Sequence, residues 1–249
     1  MIFIKDPLEI QKMREGGKIL VRILKSLEKE VKIGMNTFEL EDKARKLIVE
    51  NKAQPAFLNY RGYPAALCVS INEEIVHGIP SKNKIIKDGD IVSIDLGVLY
   101  KGLITDASLT VGVGKVTSKE KKLIEVTRKA LDKAISKAKI GNQIKDISKV
   151  IQETVEKAGF QVIRDCVGHG VGKRVHEDPL VPNSVHKGKS EILKEGMTIA
   201  IEPIATIGDF KTIVEVNGWT VITRDRSQTA HFEQTIAVGK NGGEILTPF

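Results

Sequence analysis

The sequence predicts an α/β fold made of two related halves, each with two helices followed by strands. Two Lys-Ile-Gly segments, each placed where a helix should end, begin at Lys32 and Lys139, which are 107 residues apart. The strand-like segments 85–97 and 192–204 are related by the same 107-residue offset and are identical at four of their thirteen positions. Features that recur at one spacing indicate an internal duplication.

Each half is predicted to start with two capped helices. Asp6, Thr37 and Ser118 are suitable N-cap residues for three of them. The predicted helices are 7–31 and 37–52 in the first half, and 118–139 and 143–158 in the second. We expect the halves, about 1–115 and 116–249, to pack about a pseudo-twofold axis. They should form a single domain, because no Pro/Gly/Ser-rich linker separates them.

Composition indicates an ordinary globular protein. Hydrophobic residues make up 41% of the chain and charged residues 29%. No apolar run approaches the roughly 18 residues of a membrane span, and the first residues do not form a signal peptide. Cys68 and Cys166 are far apart and in no metal-binding spacing, so we expect two reduced thiols. The protein should therefore be soluble and cytoplasmic, without a membrane contact.

The formal net charge is +7, and the segment 119–139 carries eight basic and three acidic residues. A lysine-rich solvated surface explains this excess, and so does attraction to a polyanion such as ribosomal RNA. The segment lacks the interleaved aromatic residues of single-strand binders. Net charge alone does not decide between a solvated surface and a contact with the ribosome surface.

Four carboxylates occupy apolar strand contexts. Asp95 and Glu202 end equivalent strands of the two halves, Asp106 follows Asp95 by eleven residues, and Glu233 lies in a later strand. A carboxylate is costly to bury without a partner. A bound cation accounts for all four positions more simply than four independent surface carboxylates.

His169, in the segment Gly-His-Gly-Val-Gly, is the natural nitrogen ligand beside these carboxylates. The glycine spacing is not that of a dinucleotide-binding loop. Four carboxylates neutralise two divalent ions, and one imidazole favours Mn, Fe, Co or Zn over Mg or Ca. Two such ions activate water and polarise a carbonyl group, which is the chemistry of hydrolysis.

The whole sequence resembles the type I methionine aminopeptidases of the creatinase-like pita-bread family. The resemblance is carried by the order and spacing of Asp95, Asp106, His169, Glu202 and Glu233, and by the segments 69–80, Gly-His-Gly-Val-Gly and His-Glu-Asp-Pro. It implies helices on an antiparallel sheet, two divalent metal ions and a monomer. The implied activity is removal of the N-terminal methionine from nascent polypeptides whose second residue is small.

The resemblance also implies roles for further residues. His77 would hydrogen-bond the substrate near the scissile amide, His176 would stabilise the oxyanion, and Glu202 would act as general base. The methionine pocket would comprise Tyr60, Tyr63, Cys68 and Trp219, with Phe57 nearby. One departure is Val175, where many relatives carry an aromatic residue, so the pocket is expected to be roomier.

Two alternative functions fit the same fold. One is a proline-directed aminopeptidase, and the other is a non-catalytic ribosome-binding protein, which typically lacks metal ligands. All five ligand positions are occupied here. Only 25 residues separate His176 from Glu202, which favours type I over the type II enzymes with their long insertion.

Overall fold

The computed structural model describes all 249 residues, Met1–Phe249. Its helices are α1 (Pro7–Glu30), α2 (Thr37–Glu50), α3 (Ser118–Lys137) and α4 (Ile144–Lys157). Its strands are β1 (Gln54–Pro55), β2 (Leu67–Ile71), β3 (Glu74–Val76), β4 (Ile91–Tyr100), β5 (Leu103–Gly112), β6 (Gln161–Val162), β7 (Gly168–Gly170), β8 (Glu177–Val181), β9 (Thr198–Ile201), β10 (Ile204–Thr206), β11 (Thr212–Val214), β12 (Val221–Thr223), β13 (Thr229–His231), β14 (Glu233–Ala237) and β15 (Glu244–Ile245). None of the helices combines the length and hydropathy needed to cross a membrane.

All four predicted helices are present, and Asp6 caps α1 as expected. The predicted caps Thr37 and Ser118 are wrong by one residue. Asn36 and Thr117 are the caps, because each side chain accepts a hydrogen bond from the backbone N–H of a glutamate three residues later, and that glutamate bonds back to the cap. The predicted helices also extend one or two residues too far at their C-terminal ends.

The main sheet has nine antiparallel strands, and its order reflects the two halves. The first half contributes β2, β4 and β5 in that spatial order, and the second half contributes β14, β9 and β7. The central neighbours β5 and β14 join the two sets. Read from its centre outward, the sheet therefore places corresponding strands at corresponding distances on the two sides, as a pseudo-twofold axis requires.

The 107-residue repeat also appears in backbone hydrogen bonds. The N–H of Gly34 donates to the carbonyl of Ile86 at 2.9 Å, and the N–H of Gly141 donates to the carbonyl of Leu193 at 2.9 Å. Both glycines have positive φ angles, +84° and +90°, which suits the Lys-Ile-Gly stops of the first helix of each half. The duplication predicted from sequence is therefore confirmed at the level of equivalent atoms.

The helices cover the sheet through a hydrophobic core of 44 buried residues drawn from both halves. Two smaller antiparallel sheets complete the fold, one ordered β13-β10-β6 and the other β11-β12-β3. A separate cluster of twelve buried apolar residues includes Phe57, Tyr63, Cys68 and Val175. Predicted pocket residues are therefore packed together in a cluster of their own.

Candidate metal centre and substrate pocket

Strand register aligns carboxylates from both halves. Asp95 on β4 lies opposite Ser108 on β5, and Ser108 lies opposite Glu233 on β14. Asp106 is two residues before Ser108, so it points to the same face. Three acidic side chains from three neighbouring strands therefore converge on one face of the sheet.

His169 on β7 and Glu202, which directly follows β9, approach from the second half. Ligand atoms of Asp106, His169 and Glu233 all lie within 4.8 Å of one another. The Nε2 atom of His169 is 3.8 Å from Oε1 of Glu202. The Nδ1 atom of His169 is 2.9 Å from the carbonyl oxygen of Gly170, which can only accept, so Nδ1 carries the proton. This leaves the Nε2 lone pair free to bind a cation.

The electrostatics of the cluster favour the binding of a cation. Burial raises the pKa of Asp95 to about 6. Burial, followed by repulsion from neighbouring carboxylates, raises the pKa values of Asp106 and Glu233 well above their ordinary range. One carboxylate oxygen on each of the three residues is buried and lacks a hydrogen-bond partner. Unpartnered buried oxygens on three facing carboxylates suit divalent metal ions.

Glu202 differs from the other carboxylates. Its burial would raise the pKa, but the nearby imidazole of His231, with further contributions from His169 and His176, holds that pKa below its ordinary value. Glu202 is therefore the carboxylate of the cluster most readily ionised in this arrangement of charges.

His231 is a further histidine at the acidic cluster. Its Nε2 atom is 3.5 Å from Oε2 of Glu202 and 4.0 Å from Oε2 of Glu233. His231 and Glu233 belong to different strands, because β13 ends at His231 and β14 begins at Glu233. The change of sheet at Phe232 is what turns both side chains toward the site.

A cavity of about 460 Å³ joins the acidic cluster to an aromatic pocket, and every predicted site residue lines it. The rings of Tyr63 and Trp219 meet edge to face, with centroids 5.2 Å apart. Cys68 is buried, and burial raises the pKa of its thiol, so the sulfur is neutral. Val175 is 3% exposed and also lines the cavity.

The two predicted catalytic histidines both line this cavity, and both are neutral at neutral pH. Burial lowers the pKa of His77. His176 stays accessible to solvent, and partial desolvation together with the neighbouring His169 lowers its pKa to about 3. The rings of His169 and His176 have centroids 4.2 Å apart. The Nδ1 atom of His176 is 3.0 Å from the hydroxyl oxygen of Tyr60.

Sequence reasoning missed the support beneath His176. Glu177 is buried, pairs with Lys5 at 2.5 Å, and accepts hydrogen bonds from the backbone N–H groups of Lys173 and Arg174. This carboxylate therefore holds the loop that carries His176. A lysine and a glutamate 172 residues apart give no local sequence signal of such a pair.

Cys166 is a second residue that sequence reasoning left outside the site. It lines the cavity, and burial raises the pKa of its thiol to about 12. The expectation of two reduced thiols is met, since both cysteines are free. His186 is exposed and lies outside this cavity.

Comparison with known proteins identifies the family. The sequence profile described as "Metallopeptidase family M24" matches residues 11–240. The chain belongs to this metallopeptidase family. It is 46% identical over 247 residues to the methionine aminopeptidase of Clostridium acetobutylicum, with 99% of each chain covered. The crystal structure of the methionine aminopeptidase from Thermotoga maritima matches with a TM-score of 0.97 and 47% identity, covering all of both chains.

A comparison with a less similar solved structure separates the two enzyme alternatives. The prolidase from Pyrococcus furiosus matches with a TM-score of 0.81 and 27% identity, and this chain covers 65% of its length. The pita-bread fold and the resemblance to methionine aminopeptidases are therefore confirmed, and the comparison favours that function over the proline-directed one.

Proposed function

We propose that this protein hydrolyses the first peptide bond of nascent proteins and peptides, releasing N-terminal methionine when the second residue is small. The observation that carries the proposal is the single cavity in which a buried acidic and histidine cluster adjoins an apolar, sulfur-containing aromatic pocket. The full-length similarity to methionine aminopeptidases supports this choice of substrate.

Two divalent ions would be held by five residues of the acidic and histidine cluster. These are Asp95, Asp106, His169, Glu202 and Glu233. Mixed carboxylate and imidazole ligands suit Mn, Fe, Co or Zn. When bound, such a pair lowers the pKa of water and polarises a carbonyl group. The unpartnered carboxylate oxygens of Asp95, Asp106 and Glu233 are the groups that need this charge.

Glu202 would act as the general base. Its lowered pKa keeps it ionised at neutral pH, so that an oxygen can accept a proton from the attacking water. His176, neutral because of its low pKa, would donate a hydrogen bond to the developing oxyanion. His77 would hydrogen-bond the substrate near the scissile amide. Both imidazoles would do this without changing charge.

The aromatic pocket would bind the methionine side chain. Tyr60, Tyr63, Cys68 and Trp219 supply apolar, polarisable walls, and thioether sulfur makes favourable contacts with aromatic edges. The hydroxyl of Tyr63 donates to backbone carbonyls of Leu67 or Gly78, at 3.2 and 3.1 Å, so its polar atom is satisfied by the protein. The pocket therefore presents its apolar surface to the ligand.

We extend the proposal to the cellular setting. The protein acts as a cytoplasmic monomer formed by one catalytic domain, residues 1–249, with halves divided at about residue 115. Its lysine-rich helix α3 faces a polyanion such as the ribosome surface, where nascent N-termini emerge. Sedimentation of the protein with ribosomes at low and high salt tests this contact.

The activity is tested by measuring free methionine released from Met-Ala-Ser by metal-stripped and metal-restored protein. We expect release only after a divalent ion is restored. Leu-Ala-Ser and Ala-Pro-Ser serve as matched peptides. Faster cleavage of the Pro-containing peptide would support the proline-directed function, and no cleavage of any peptide would support the non-catalytic one.

A further inference from the structure

We propose that Tyr60 is a positioning residue that sets the tautomer of His176, in addition to forming part of the pocket wall. The inference rests on the proposed function, because His176 is the oxyanion donor of that mechanism. The Tyr60 hydroxyl determines which imidazole nitrogen of His176 carries the proton.

The contact that carries the proposal joins the Tyr60 hydroxyl to Nδ1 of His176 at 3.0 Å. A neutral imidazole has one N–H and one acceptor nitrogen, whereas a phenol can both donate and accept. The Tyr60 hydroxyl has no other protein hydrogen-bond partner among the contacts of the structure. The phenolic proton of Tyr60 therefore has one protein acceptor within reach, which is Nδ1 of His176.

The consequence appears at the opposite side of the ring. When Nδ1 accepts from Tyr60, the proton of the neutral imidazole must be on Nε2. An N–H at Nε2 is what an oxyanion donor requires, while the other tautomer would present a lone pair to the developing negative charge. Tyr60 thus selects the tautomer that stabilises the oxyanion.

The neighbouring rings limit which protein groups can donate a hydrogen bond to Nδ1 of His176, a residue that is itself exposed to solvent. The Tyr60 and His176 rings have centroids 5.3 Å apart, and His169 packs on His176 at 4.2 Å. His169 cannot take over as a donor to Nδ1, because its own Nδ1–H is used by the carbonyl of Gly170. Tyr60 is therefore the one protein donor available to Nδ1 of His176.

Tyr63 offers a matched control within the same pocket. Its hydroxyl is directed to the carbonyls of Leu67 and Gly78 and makes no hydrogen bond with His176. Tyr60→Phe and Tyr63→Phe each remove one phenolic oxygen from an aromatic pocket wall. Only the first removes the proposed donor to the imidazole.

The first test reads the tautomer directly by ¹⁵N NMR of histidine-labelled protein reconstituted with zinc, which is diamagnetic. We expect His176 to show a protonated Nε2 and an unprotonated Nδ1 in the wild type and in Tyr63→Phe. In Tyr60→Phe the ¹⁵N chemical shifts of the two ring nitrogens should move toward the averaged values of a tautomer mixture. A wild type with protonated Nδ1, or an unchanged signature in Tyr60→Phe, would overturn the proposal whether or not the protein proves to be an aminopeptidase.

The second test is a double-mutant cycle in methionine release. Tyr60→Phe should lower kcat by about tenfold, the effect of one hydrogen bond, with KM changed by less than about twofold. In a His176→Ala background the same change should have almost no further effect on kcat. An equal loss in both backgrounds, or an effect confined to KM, would show that Tyr60 is only a pocket wall.

Discussion

Asp95 and Glu202 occupy equivalent positions in the two halves, yet their surroundings push their pKa values in opposite directions. Asp95 lies in the middle of the ten-residue strand β4, and burial raises its pKa to about 6. Glu202 lies just beyond β9, and nearby histidines hold its pKa below the ordinary value despite burial. The duplication thus places a carboxylate at the same position of each half. The neighbouring residues then give the two carboxylates different pKa values.

One sequence difference between the two positions is a proline in the second half. The residue after Asp95 is Leu96, and β4 continues through it in regular register with β5. The residue after Glu202 is Pro203, which has no N–H for the ladder, and the chain leaves the main sheet for β10. The break turns Glu202 toward the histidines of its own half.

The largest effect is expected from isosteric substitutions of Glu202 and Asp95, which test whether Glu202 is the general base and Asp95 a metal ligand only. Glu202→Gln should lower kcat by about a thousandfold or more, because the proton acceptor is lost. Asp95→Asn should act chiefly on metal affinity, and much of its activity should return at high metal concentration. The measurement is kcat as a function of metal concentration for both variants. Recovery of Glu202→Gln by metal alone would contradict the role of general base.

The two predicted catalytic histidines give the next comparison. His176→Ala should lower kcat by about two to three orders of magnitude, as expected for loss of an oxyanion donor. His77→Ala should cost about tenfold, the effect of one substrate hydrogen bond. Metal content, measured by atomic emission, should be unchanged in both. Loss of metal from His176→Ala would mean that His176 is a ligand.

Stability of the metal-free protein should depend on pH through the carboxylates. Because the folded pKa of Asp95 is about 6, above its unfolded value of about 3.9, the folded state retains a proton that the unfolded state releases. The stability that this retained proton contributes is present below the unfolded pKa and is lost as pH rises through the folded pKa, by about 2–3 kcal/mol for Asp95. Asp95→Asn should therefore raise the Tm of metal-free protein at pH 7 but much less at pH 4.

Restored metal should reverse this trend, since protons compete with cations for the same oxygens. The stabilisation by added metal should be larger at pH 7 than at pH 5. A metal-free protein equally stable at both pH values in thermal unfolding would contradict the inferred repulsion among these buried carboxylates.

A smaller effect concerns the valines that precede the two histidines. Val76 and Val175 both line the cavity, but only Val175 belongs to the apolar cluster with Tyr63 and Cys68. Val175→Phe should narrow the methionine pocket and change the ratio of kcat/KM for Met-Ala and norleucine-Ala peptides by about tenfold or less. Val175→Ile is the matched control for added volume without a ring. Identical ratios in all three proteins would exclude Val175 as a determinant of specificity.

Much of the site could be predicted because strand alternation and spacing specify which side chains share a face. Asp95 and Asp106 are placed together by the β4–β5 register, and the repeat adds Glu202. The caps were missed by one residue, since Asn36-Thr37 and Thr117-Ser118 each offer two suitable side chains. In both pairs, the glutamate three residues later selects the first.

The remaining features depend on long-range packing. The buried pair of Lys5 with Glu177 joins opposite parts of the chain, and no local pattern marks either residue as buried. His231 reaches the acidic cluster because the chain changes sheets at Phe232, which a strand pattern alone does not predict. Such contacts arise only when the two halves are assembled.

The most direct test of the central claim, that ligands from both halves hold two divalent ions at one site, is a calorimetric titration of metal-stripped protein with Mn²⁺. We predict two ions per wild-type chain, with methionine release rising as they bind. Asp106→Asn from the first half and Glu233→Gln from the second should each weaken or abolish binding and activity together. Unchanged metal stoichiometry and affinity in either variant, or full activity without metal, would contradict the account.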